Sequence, residues 1–172
     1  MEYKSFETER LIIRPTGIED AEAIRLLMNT PKFLHFVGDR KLRSDADAEQ
    51  YIKDRMLPQL ERLGYSSYIM VKKEDGQKIG TCGLYDRDGV DGIDIGFGLL
   101  PEAEGQGFAY EAASCLMKAA VDTFNIKEIN GITAKANVAS QGLLEKLGLK
   151  KIGTTTLPGE TEEILLYQYK VE

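Results

Sequence analysis

The first apolar run, Glu9-Arg10-Leu11-Ile12-Ile13-Arg14-Pro15, is rich in β-branched residues and ended by proline, which predicts a strand. Thr16 and Glu19, three residues apart, predict a capping box and a helix beginning near Gly17. Ile18, Ala21, Ile24, Leu27 and Met28 share one face of that helix, and Asn29-Thr30-Pro31 closes it. Lys32 to Arg43 is mixed and aromatic, has no clear period, and is read as a loop. Ser44 caps a second helix through Ala48, Tyr51, Ile52, Arg55 and Met56, kinked or broken at Pro58 and stopped by Gly64.

Strands follow at Ser67 to Lys72 and Lys78 to Asp86, joined by a hairpin turn at Glu74-Asp75-Gly76-Gln77. From Gly92 to Leu100 the chain alternates. Ile93, Ile95, Phe97 and Leu99 form a core face, while Asp94, Gly96 and Gly98 form a nearly bare one. Phe108 to Phe124 is an amphipathic helix, Ile126 to Lys135 a strand, and Ala139 to Leu147 a short helix stopped by Gly148. Lys150 to Leu157 and Ile164 to Val171 are the last two strands, around Pro158-Gly159.

At 172 residues, without repeat or linker, the chain is expected to form one domain spanning residues 1–172. Its 42% hydrophobic and 29% charged residues fit a globular protein rather than a disordered or membrane-spanning one. The N-terminal sequence lacks an apolar signal core, so a cytoplasmic protein with no membrane partner is expected. Cys82 and Cys115 are therefore expected as reduced, small core residues. A net charge of −6, with Lys and Arg concentrated no further than in short pairs such as Lys72-Lys73 and Lys150-Lys151, argues against nucleic acid and tolerates a cationic substrate. One histidine and two distant cysteines make no ordinary zinc site, and a Cys-His nucleophile would need His35 to meet a buried thiol, so no metal is expected.

The most informative stretch is Leu99 to Ala112, where a strand end feeds a glycine-containing turn that opens a helix. Gly105 and Gly107 let a ligand approach the backbone, and the free N–H groups of the helix's first turn favour an anion such as a pyrophosphate. The dinucleotide fingerprint does not fit, because Tyr110 replaces the third glycine, and no Lys-Ser/Thr pair follows. A tight turn without ligand is the alternative.

The loop Glu104-Gly105-Gln106-Gly107-Phe108-Ala109 resembles the Gln/Arg-x-x-Gly-x-Gly/Ala loop of the GNAT superfamily of acetyl-coenzyme A dependent N-acetyltransferases. A second stretch, Asn137 to Leu149, resembles that family's later motif. The opening Glu7 to Pro15 is similar to the branch that acetylates the N-termini of ribosomal proteins. The resemblance implies a mixed α/β fold: a single twisted, mostly antiparallel seven-stranded sheet with helices on both faces. The strands of Gly92 to Leu100 and Ile126 to Lys135 are expected to splay into a cofactor cleft. It further implies acetyl-coenzyme A as cosubstrate, contacted by Gly98, Leu99, Glu104, Gly105, Gln106, Gly107, Phe108, Ala109, Asn137 and Ser140, with an amine acceptor that extends to a protein N-terminus. A monomer or a homodimer is compatible with it.

Main-chain N–H groups near Phe97 to Leu99 are implied to polarise the thioester carbonyl, with Gly96 and Gly98 leaving room for the pantetheine arm; a bulge without ligand is the alternative. Two positions depart from the family pattern. Glu104 sets an acid beside the pyrophosphate unless it turns to solvent, and Leu144 stands where many members carry a tyrosine that protonates the thiolate. Ser140 is then the nearest group to hydrogen-bond the sulfur, or else a capping or packing serine. As general base, Asp94 comes first because apolar residues flank it; Glu102, Asp86 and His35 follow. Glu104 and Leu144 also leave open a domain that binds an acyl-coenzyme A without turnover.

Overall fold

The computed structural model describes residues 2–172. Its eight strands are β1 (Phe6–Glu7), β2 (Leu11–Pro15), β3 (Ser67–Lys72), β4 (Lys78–Asp86), β5 (Ile93–Leu99), β6 (Glu128–Thr133), β7 (Lys150–Thr155) and β8 (Ile164–Lys170). They form one sheet in the order β1-β2-β3-β4-β5-β6-β8-β7, antiparallel throughout except between β5 and β6. The strand count exceeds the expected seven by the two-residue β1, which is too short to carry a sequence period. Helices α1 (Ala21–Met28), α2 (Pro31–Phe36), α3 (Asp45–Arg55), α4 (Leu57–Leu63), α5 (Phe108–Asp122) and α6 (Val138–Lys146) complete the chain.

The main core lies between the sheet and α5. Leu11, Ile13, Tyr68, Met70, Cys82, Leu84, Ile95 and Ile129 are buried beneath Phe108, Ala112, Ala113, Leu116 and Ala120. The alanines let α5 lie close to the strands, and each fully buried large side chain contributes roughly 1.5–3 kcal/mol. A second core, from Ala21, Ile24, Met28, Leu42, Ala48, Ile52 and Met56, ties α1 to α3. Cys82 is buried as expected, whereas Cys115 is only half-buried; both are free thiols.

The entry to α1 is displaced from the expected capping box. Gly17, not Thr16, stands at the cap position, and its amide donates to Asp20 Oδ2 at 2.9 Å; Thr16 is buried, its hydroxyl 3.1 Å from that of Ser67. Asp20 is wholly buried and also accepts from both terminal nitrogens of Arg14 at 2.9 Å and from Lys78 at 2.7 Å. Nor does Thr30-Pro31 simply end a helix. Thr30 accepts from the Phe33 amide and Pro31 occupies the first turn of α2, so part of the expected 32–43 loop is helical. Pro58 sits in the first turn of α4, turning the expected single helix into two.

Between β5 and β6 the ladder has only two pairs, Ile93 with Ile129 and Asp94 with Asn130. Beyond them the strands part, β5 remaining on β4 as far as Leu99 and β6 on β8 as far as Thr133. The expected splay is therefore present, with its vertex at Asp94.

Candidate active site

Around the splay lie the exposed edge of β5, the loop from Glu104 to Gly107 that leads into α5, and α6, whose last residue, Lys146, sets its Nζ 4.1 Å from the Tyr110 ring of α5. Leu100 donates its amide to Ile79 on β4, and Leu99 stands opposite Gly80. Because main-chain groups alternate along an antiparallel ladder, the amides of Phe97 and Leu99 face the gap instead, that of Ile95 being taken up in the last β5–β6 pair. A β-carbon on Gly80 would collide with the Gly98 carbonyl oxygen, so the two backbones approach at this point only because Gly80 has no side chain.

Gly105 and Gly107 both take positive φ, 74° and 82°, with Gly107 at the N-cap of α5. No main-chain or side-chain acceptor within the described residues engages the amides of Gly105, Gln106, Gly107, Phe108, Ala109 or Tyr110; the first paired amide is that of Glu111, to Gly107 O at 3.0 Å. Nothing lies within 4 Å of a β-carbon built on Gly105. A run of unpaired donors at a helix N-terminus, with clear space before it, is suited to a pyrophosphate.

Cations flank both ends of this run. Arg10 stacks on the Phe108 ring at 4.1 Å, is held by Glu111 at 2.7 Å, and brings Nη2 to 3.4 Å from where a Gly107 β-carbon would stand. Lys72 lies 5.9 Å from the same ring. At the other end Glu104 does not turn to solvent: its Oε2 accepts from Lys32 Nζ of α2 at 2.7 Å. Lys32 falls in the segment without apolar period; the Thr30-Pro31 start signal is the trace that could have marked its helix.

Asp94 stands at the vertex with 0% exposure. Burial pushes its carboxyl above the ordinary range, and the Arg87 guanidinium that donates to it works in the opposite direction. Its face of β5 is not bare. A β-carbon on Gly96 would stand 2.9 Å from the Tyr85 ring, and one on Gly98 3.5 Å from Leu27 of α1. Room beside β5 therefore lies along its edge rather than over the glycines. Burial also pushes the Tyr85 phenol up, keeping it neutral.

On the opposite face, α6 packs on β6 through Leu144, whose Cδ2 would be 2.7 Å from a β-carbon on Gly131. Leu144 is thus core, 1% exposed, and offers no hydroxyl. Asn137 caps α6 by accepting from the Ser140 amide at 3.2 Å, so Ser140 is not itself the cap and its half-buried hydroxyl makes no side-chain hydrogen bond among the described residues. The helix that carries Ser140 accordingly packs on the face of the sheet opposite to Asp94.

The other acid and base candidates are peripheral. Asp86 pairs with Arg62 at 2.9 Å, Glu102 is exposed, and His35 is exposed on α2 against Phe36. Among the described residues no cluster of His, Cys, Asp or Glu could hold a metal ion, and no helix is long and apolar enough to cross a membrane.

The family model of the acetyltransferase (GNAT) domain matches residues 10–150. A curated relative, the uncharacterized N-acetyltransferase p20 of Bacillus licheniformis, is 28% identical over 148 residues, covering 85% of this chain and 82% of its own. Among solved structures, an acetyltransferase of Agrobacterium tumefaciens superposes with a TM-score of 0.81 at 25% identity, covering 99% of this chain and 96% of its own. A ribosomal-protein-S5-alanine acetyltransferase of Vibrio fischeri superposes at 0.80 with 21% identity, covering 97% and 96%.

Proposed function

The chain belongs to the GNAT acetyltransferase family, and on that premise we propose that it moves the acetyl group of acetyl-coenzyme A to a primary amine, with a protein or peptide N-terminal α-amine as the preferred acceptor. The observation that carries this reading is the presence of two sets of unpaired amides, one on the β5 edge and one in the loop at Gly105 to Tyr110. The first group matches a pantetheine arm lying where a strand would, and the second a pyrophosphate.

In this scheme Gly105 to Ala109 hold the diphosphate, Asn137 caps the start of α6, and the edge amides of Phe97 and Leu99 orient the thioester and polarise its carbonyl. The neutral amine attacks the carbonyl carbon, the C–S bond breaks, and coenzyme A leaves as a thiolate that takes up a proton. Asp94, at the vertex, accepts the proton lost by the amine; Ser140, across the gap, donates a hydrogen bond to the sulfur.

The preference for an α-amine follows from the small demand it makes on a carboxylate base already engaged by Arg87. An α-amino group, with a pKa of about 7.7–8.0, is partly neutral at neutral pH, whereas lysine at about 10.4 requires far more help. The fold shared with a ribosomal-protein alanine acetyltransferase is in line with this choice.

Thiol release from acetyl-coenzyme A is the direct test, measured with free-N-terminus peptides, N-terminally acetylated controls and small amines. Turnover with free-N-terminus peptides alone supports the proposal; turnover confined to small amines shifts the acceptor to metabolites. Coenzyme A binding without any turnover would leave a sensor module instead.

A further inference from the structure

The departure at Glu104 has a counterpart elsewhere in the chain. Glu104 opens the run of unpaired amides, and an acid there repels a diphosphate; it is two-thirds buried by its side chain, so hydration cannot fully screen it. Opposite it stands Lys32 Nζ, 2.7 Å from Oε2, on an element 72 residues earlier in the sequence.

Lys32 does not reach Glu104 on a free tether. Thr30 donates its hydroxyl to Leu27 O at 2.9 Å and accepts from the Phe33 amide, fixing the corner between α1 and α2, and Leu27 lies beside Gly98 on β5. The ammonium is thus held at Glu104, five residues beyond the end of β5. Its side chain is 63% exposed, leaving donors free beyond the one that Glu104 accepts. The other cation at the loop, Arg10, has its Nε taken by Glu111 at the far end of the run and does not neutralise Glu104.

From this arrangement we infer that Lys32 is a cofactor-binding residue of this chain: it cancels the charge of Glu104 and shares its ammonium with the diphosphate of coenzyme A. The inference rests on the coenzyme A reading of the loop and adds to it the residue that makes an acidic loop compatible with a diphosphate. A Lys–Glu pair that served only to hold α2 in place would matter equally whatever ligand is present.

Isothermal titration of coenzyme A into the wild-type protein and the variants Lys32→Met, Glu104→Gln and Lys32→Met/Glu104→Gln tests it, with pantetheine, which lacks the phosphates, as the second ligand. Lys32→Met is expected to weaken coenzyme A binding about tenfold in the wild-type background and clearly less once Glu104 is neutral, because the repulsion it offset is gone. Pantetheine affinity should not change, and in turnover the loss should appear in KM for acetyl-coenzyme A with kcat retained. Equal losses for the two ligands, or an unchanged affinity for coenzyme A, would overturn the inference while leaving the coenzyme A site standing. A wild-type protein that fails to bind coenzyme A would overturn the site reading itself, and Lys32 with it.

Discussion

Arg87 grips Asp94 at two points: its Nε lies 3.2 Å from Oδ1 and its Nη2 3.1 Å from Oδ2, around a carboxylate side chain only 1% exposed. The contact closes the turn between β4 and β5 at the residue where β5 last pairs with β6. It therefore joins the vertex of the cleft to the protonation state of its candidate base.

If Asp94 accepts the amine's proton, Asp94→Asn lowers kcat by about a hundredfold or more and leaves coenzyme A affinity within about twofold of wild type. The sign of the pH dependence follows from burial, which raises the carboxyl: the site is inactive while protonated, and rate climbs with pH through a limb above the ordinary carboxylate range. That limb should vanish in the variant. A variant with an unchanged rate and pH profile would end the assignment.

Gly107→Trp sets a large side chain at a position with φ of 82° in front of the unpaired amides. Coenzyme A binding, followed by titration calorimetry, should fall below detection while circular dichroism shows the fold retained. Retained affinity would remove the loop from the site.

Asp20 tests the fold beneath the site. Burial acts to raise its carboxyl, but Arg14, the Gly17 amide and Lys78 together hold it below the ordinary range. A carboxylate lowered in this way stabilises the protein above its unfolded pKa, and that stability is lost as pH falls through the folded value. Asp20→Asn should lower Tm by roughly 5–10 °C near neutral pH, because two cations lose their buried partner. The gap between variant and wild type should narrow on acidification; a gap independent of pH would contradict the ion-pair account.

Gly131→Ala places a methyl 2.7 Å from Leu144 Cδ2. Overpacking of this kind costs about 1–3 kcal/mol, measurable by urea unfolding. Since the shortest contacts are with the two methyls of Leu144, and Leu149 Cδ2 stands further off at 3.2 Å, Leu144→Val in the same protein should recover much of the loss, and additive losses would show that the strain lies elsewhere.

The long elements were legible because their periods were clean. Ile93, Ile95, Phe97 and Leu99 alternate, the alanines and Leu116 of α5 recur on one face, and the limits of these elements agree with that pattern, whereas the splay followed from the family resemblance and not from any period. Short or locally decided features were not. The sequence Thr16-Gly17-Ile18-Glu19-Asp20 offers two acids to a helix start, and which one caps depends on Arg14 and Lys78 gathering around Asp20 from separate strands. Likewise, α2 is six residues long with no fully buried side chain, so no apolar period could announce it. The bare look of Gly96 and Gly98 misled for a related reason: Tyr85 fills that space from the neighbouring strand and Leu27 from α1.

The single parallel seam divides the sheet into one leaf of five strands and another of three. Rocking about the Ile93–Asn130 hinge widens or narrows the slot without breaking a rung inside either leaf, so slot width is the soft coordinate of an otherwise stiff sheet. Amide exchange should accordingly be quick at the Phe97 and Leu99 edge and slow at the rungs between β3 and β4. A ligand that fills the slot spans both leaves, and its grip is felt as rigidity far from the atoms it touches.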